Sequence, residues 1–163
     1  MKKFVVFLAL FFVVIGGLFA QNRVSVDLSQ LESIRNPVAF TRQFDFWGVN
    51  IEGAVPSNVN WTQMNRIIVR VKYFRGANGQ TEIRQGSGIA HCHLFYDYSG
   101  NWFDAGNIAI PRIDNIGLTG PAPASQDQGR AISLTRAPAG IVFQNAAANV
   151  TFIEIQEITF FRE

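Results

Sequence analysis

The chain has 163 residues, 48% hydrophobic and 13% aromatic, with 14 Lys and Arg against 12 Asp and Glu. Two of the cations, Lys2 and Lys3, open the chain, so residues 21–163 hold 12 of each sign and are formally neutral. Neutrality gives no basic face for nucleic acid, and a single cysteine, Cys92, excludes an internal disulfide.

The first twenty residues carry the strongest positional signal. Lys2-Lys3 precede an unbroken apolar run, Phe4 to Ile15. Gly16-Gly17 then loosens the segment, and Leu18-Phe19-Ala20 ends it before Gln21. That layout predicts a secretory signal peptide over 1–20, cleaved after Ala20, and hence export to the periplasm or cell surface of a bacterium. An uncleaved anchor is the competing reading, because about 18 apolar residues can span a bilayer. No cysteine lies near the cut, which argues against a lipid anchor. After cleavage no membrane span remains, and residues 21–163 are the size of one domain.

Beyond Gln21 the chain alternates with period two, the mark of strands with one buried face. Val24-Val26-Leu28 is a first strand, Leu28 to Ile34 the one candidate helical turn, and Phe44–Ile51 a second strand. In Arg66–Phe74, Ile67, Val69, Val71 and Tyr73 share one face, and Arg66, Arg70 and Lys72 the other, together with Ile68 and Phe74. Gly76-Ala77-Asn78-Gly79 then reverses the chain, and a short strand begins near Thr81. Gly88–Tyr98 places Ala90, Cys92, Leu94 and Tyr96 on one face, and His91, His93, Phe95 and Asp97 on the other. Ser99-Gly100-Asn101 turns again before Trp102-Phe103. Gly106–Pro111 reads as a strand and Gly117–Gly129 as a loop. Ala131–Leu134, Gly140–Gln144 and Val150–Phe161 complete the series. In the last, Ile153 and Ile155 differ in parity from Ile158 and Phe160, which predicts a bulge near Gln156-Glu157. About eight to ten short strands in a chain of this length predict an all-β, antiparallel β-sandwich.

The C-terminal third resembles jelly-roll carbohydrate-binding modules of the galactose-binding-like group. The residues that carry this are Gly140-Ile-Val-Phe-Gln144, the polar turn Asn145–Asn149, and the final strand Phe152-Ile-Glu-Ile155-Gln-Glu-Ile158-Thr-Phe160. The resemblance implies a jelly-roll sandwich that binds carbohydrate. It also implies a structural calcium held by an acidic residue of the last strand; the matching positions are Gln156 and Glu157, which leaves Glu157, with backbone carbonyls and Asp27 of the first strand, as the candidate ligands. Calcium takes six to eight oxygen ligands, carboxylates prominent among them, so this is a thin set. A second resemblance, to the flagellar filament outer-layer sheath proteins of spirochaetes, rests on Tyr96-Asp97-Tyr98-Ser99-Gly100-Asn101 and on Ile108-Ala-Ile-Pro111. It implies an assembly subunit that packs against envelope or flagellar neighbours.

Candidate binding residues follow from chemistry. Sugars offer apolar C–H faces edged by hydroxyls, so they suit rings set among a few fixed polar groups. Trp61, in the polar run Asn58-Val-Asn-Trp-Thr, and Trp102, after a turn and near Tyr98, are the candidate platforms, while Trp47 lies in an apolar strand and reads as core. Both tryptophans could equally cap the sandwich end. His91, His93 and Phe95, beside Arg70, form a second candidate surface, though such a set also suits a solvated strand face. His91 and His93 are about 7 Å apart on one strand face; zinc or copper would need a further ligand. No nucleophile elbow, phosphate loop or spaced carboxylate pair occurs, so a non-catalytic protein is expected.

Overall fold

The computed structural model describes residues 22–83, 90–98, 113–117, 129–145 and 149–163. Its strands are β1 (Arg23–Ser25), β2 (Phe46–Asn50), β3 (Arg66–Arg75), β4 (Thr81–Ile83), β5 (Ala90–Phe95), β6 (Ile113–Gly117), β7 (Arg130–Ala131), β8 (Gly140–Asn145) and β9 (Phe152–Phe161). All pair antiparallel, in two sheets. The first runs β1-β9-β3-β4, with β7 also on β3; the second runs β2-β8-β5-β6. The protein is a β-sandwich.

The core lies between the sheets, and alternation builds it. From the first sheet come Ile67, Val69, Val71 and Tyr73 of β3, with Ile153, Ile155, Ile158 and Phe160 of β9. From the second come Trp47 and Val49 of β2, Cys92 and Leu94 of β5, and Ile141 and Phe143 of β8. Trp47 and Phe143 are register partners whose rings stack at 5.4 Å. Each large apolar side chain taken from water contributes about 1.5–3 kcal/mol.

The expected bulge is present. Arg70 pairs with Glu157, whereas Val71 pairs with Ile155, leaving Gln156 as the extra residue. It lets odd positions before it and even positions after it face the same core.

Elsewhere the chain departs from the sequence reading. The helical turn is a single 3-10 turn, Leu28–Gln30, capped by Asp27, whose carboxylate accepts from the Ser29 amide and hydroxyl at 3.0 and 2.7 Å. A second 3-10 turn, Trp61–Gln63, was not anticipated, nor was β6, whose Ile-Asp-Asn-Ile-Gly carries no alternation. The expected strand Gly106–Pro111, most of the loop Gly117–Gly129, and the signal segment lie outside the described residues.

Residues 34–40 extend the flank of β9 beyond β1. The Ile155 amide donates to the Ile34 carbonyl at 2.7 Å, and the Asn36 amide donates to the Ile153 carbonyl at 3.3 Å. The Asn36 side chain accepts from the Ile153 amide at 2.6 Å. This segment then carries the chain across to β2 at the edge of the other sheet.

Candidate functional site

Where that crossing meets β2, the surface opens into a cleft of about 260 Å³. Glu32, Ser33 and Pro37 form one wall, Trp47 to Asn50 the floor, and Tyr98 closes it. Three stretches distant in sequence meet here because the segment hung on β9 and the strand end of β5 both reach the β2 edge. The Tyr98 hydroxyl donates to the Gly48 carbonyl at 3.4 Å, although β8 separates β5 from β2. Trp47 is only 9% exposed, so it gives the cleft an edge while its body packs on Phe143. Glu32 and Asn50 are exposed, and Asn50 Oδ1 accepts from the Glu52 amide at 2.8 Å. Ser33 is fixed by its exchange with the Arg35 backbone. A ring, a carboxylate, an amide and a carbonyl thus border one small apolar hollow.

Of the residues singled out from sequence, Tyr98 lines this cleft. Trp61 is not at a surface: it is 6% exposed, packs edge-on to Phe160 at 5.2 Å, and plugs the end of the sandwich. The polar residues around it mark the 3-10 turn that carries the ring inward. Trp102 and the side chain of His91 lie outside the described residues. His93 is on the outer face of its sheet but is only 6% exposed, beside an equally covered Val142. Phe95, half-buried, follows on the same face. Arg70 is on β3 in the opposite sheet, so the imidazole-bearing strand and the arginine do not share a surface.

The acids assigned to calcium are otherwise engaged. Glu157 bonds Arg23 through Oε1 and Arg70 through Oε2, both at 2.9 Å, and Oε1 also accepts from Thr159 at 2.8 Å. The Asp27 carboxylate is turned to its own Ser29, whose bonds hold its pKa below the usual value. Asp97 pairs with Arg136 at 3.1 Å. Among the described residues, no three His, Cys, Asp or Glu side chains gather where a metal ion could sit.

Sequence reasoning missed Glu32, Ser33 and Asn50; Trp47 is core, as expected, and adds only its edge to the cleft. Spacing along the chain holds no signal that joins residues 32, 50 and 98; only the crossover does.

A second surface feature lies at the start of β2. Phe44 and Phe46 are 51% and 45% exposed. Phe44 has φ 68°, a left-handed backbone rarely taken by a bulky residue. Asp45 holds it there: its carboxylate accepts from the Thr41 and Arg42 amides at 2.6 and 3.0 Å, and from the Arg42 side chain at 3.0 Å. Partial burial raises the Asp45 pKa, but these bonds outweigh it and hold the group below its usual value.

No protein-family model matches the chain, and no curated protein or solved structure matches it either.

Proposed function

We propose that the protein is an exported, non-catalytic binding domain whose ligand is a carbohydrate held in the β2-edge cleft. The observation that carries this is the lining of that cleft. The Tyr98 ring and the Trp47 edge offer apolar surface, and Glu32, Asn50 and the Gly48 carbonyl offer hydroxyl partners at its border. A volume of about 260 Å³ suits one sugar unit or the end of a chain, close to the small end of ligand pockets.

A second reading, an assembly subunit of the envelope or a flagellar sheath, is favoured by the Phe44 conformation. A strained residue persists only where its surroundings over-determine it, and such sites often serve function. Here the strain holds an exposed ring beside Phe46 at a sheet edge, as a protein contact would require.

One paired experiment decides between them. The protein processed after Ala20 is screened on a glycan array and weighed by sedimentation, beside a Tyr98→Ala, Glu32→Gln variant and a Phe44→Ser, Phe46→Ser variant. The sugar reading expects a defined glycan that the first variant loses by about tenfold or more and the second retains. Self-association lost only in the second variant, with no glycan bound, sinks the sugar reading and supports the subunit.

A further inference from the structure

The cleft at the β2 edge discriminates by charge. Its lining contains one carboxylate, Glu32, and among the described residues no basic side chain. Arg35 and Arg42, on the crossing segment, are committed elsewhere. Arg35 lies over the Phe74 and Phe152 rings and donates to the Asn78 and Gly79 carbonyls, while Arg42 pairs with Asp45. Arg136 is held by Asp97, next to Tyr98. Glu32 is exposed and forms no ion pair with a described residue. One uncompensated negative charge therefore stands at the wall of an apolar hollow, where it is screened less than on open surface.

The hydrogen-bonding sense of the lining agrees with the charge. The Ser33 hydroxyl donates to the Arg35 carbonyl, and the Tyr98 hydroxyl to the Gly48 carbonyl at 3.4 Å. A hydroxyl has one proton and two lone pairs, so both groups turn acceptors toward a ligand. The Glu32 carboxylate only accepts, and the Gly48 carbonyl keeps a second lone pair. Among the described lining side chains, the Asn50 amide alone still brings donors, its oxygen being taken by the Glu52 amide at 2.8 Å.

We propose that the cleft takes a sugar whose ring bears a free ammonium group. This rests on the carbohydrate reading and narrows it to amino sugars. The C–H face of the sugar lies on the Tyr98 ring and the Trp47 edge. Its ammonium, with three donors and no acceptor, is set against Glu32 and the neighbouring oxygens of Ser33 and Gly48. A neutral sugar forfeits the charge-assisted bond. An N-acetylated sugar forfeits it too and adds bulk to a hollow of about 260 Å³. A sugar acid brings a like charge to Glu32 and is rejected.

The test is an NMR titration of the ¹⁵N-labelled protein with glucosamine, glucose, N-acetylglucosamine and cyclohexylamine. Glucosamine should shift the amides of Ser33, Gly48, Asn50 and Tyr98. It should bind about tenfold tighter than glucose or N-acetylglucosamine, the worth of one charge-assisted bond. Glu32→Gln, at an exposed position that leaves the fold intact, should bring glucosamine down to the level of glucose, and added salt should narrow the same gap. Glucose and N-acetylglucosamine bound as tightly as glucosamine overturn the proposal and leave the carbohydrate reading standing. So does a Glu32→Gln variant that holds glucosamine as tightly as the parent. Cyclohexylamine bound as tightly as glucosamine, or no sugar bound at all, overturns the carbohydrate reading together with the proposal.

Discussion

Trp61 illustrates how one side chain can carry weight out of proportion to its surroundings. Its neighbours are polar, yet a turn of 3-10 helix tucks the ring under Phe160 and beside Met64, itself 3% exposed. Removing so large a buried ring leaves a cavity as well as a lost transfer term. Trp61→Ala is therefore expected to lower stability by about 3–5 kcal/mol in urea unfolding, with Trp61→Phe falling well short of that. A loss under about 1 kcal/mol would return Trp61 to the surface. Arg35 works differently, by bridging. Its guanidinium lies 4.5 Å from the Phe74 ring centre and 4.4 Å from that of Phe152, and it donates to the carbonyls of Asn78 and Gly79. A Cβ at Gly79, where φ is +62°, would run into that guanidinium and stand 2.7 Å from the Phe152 ring, so the hairpin turn needs its glycine twice over.

At the level of elements, β9 shows what sequence can and cannot disclose. Its change of parity was legible because isoleucines and a phenylalanine occupy every core position on both sides of Gln156. β3 was legible for the same reason. β6 was not, since Ile113-Asp-Asn-Ile-Gly117 alternates nothing and is recognised only by pairing with β5. His93 was misplaced in a subtler way: its parity is right, but the outward face of a sheet is not always wet. The cleft was illegible because its walls come from a crossover, and alternation says nothing of where a crossover lands. Deleting Gln156 should turn Ile158 and Phe160 to the wrong face, or tear the β9 register from β3. Loss of cooperative unfolding by circular dichroism is the expected result. Gln156→Ala, which keeps the bulge, should change stability by about 0.5 kcal/mol or less. Equal behaviour of the two variants would mean that the bulge does not set the register.

Across the whole molecule, the two sheets hold together without an internal disulfide, and the one cysteine, Cys92, reports on their packing. It is fully buried at a central strand, paired with Phe143 on one side and Ile116 on the other. Burial pushes its thiol far above the ordinary pKa, and does the same to the adjacent Tyr73 hydroxyl. Thiolate is the reactive form, so the native protein should resist a disulfide reagent, and labelling should proceed only as fast as the sandwich opens. Labelling that tracks urea-induced unfolding is the expected outcome. Fast labelling of native protein would mean that β5 opens independently of the rest.

The pairing of β1 with β9 brings Asn22 and Arg162 together: the Arg162 amide donates to the Asn22 carbonyl at 2.9 Å, and Arg23 stands opposite Phe161. Hydrogen bonds of an antiparallel ladder lie across the strands. Tension applied between these two points would therefore load them one at a time, as in a zipper, rather than together in shear. The β1–β9 seam is then the mechanically soft line of a sandwich whose thermodynamic core lies elsewhere. Any attachment that pulls on both points would peel β1 away, with Arg23 and its share of the Glu157 carboxylate, before β3 and β9 part.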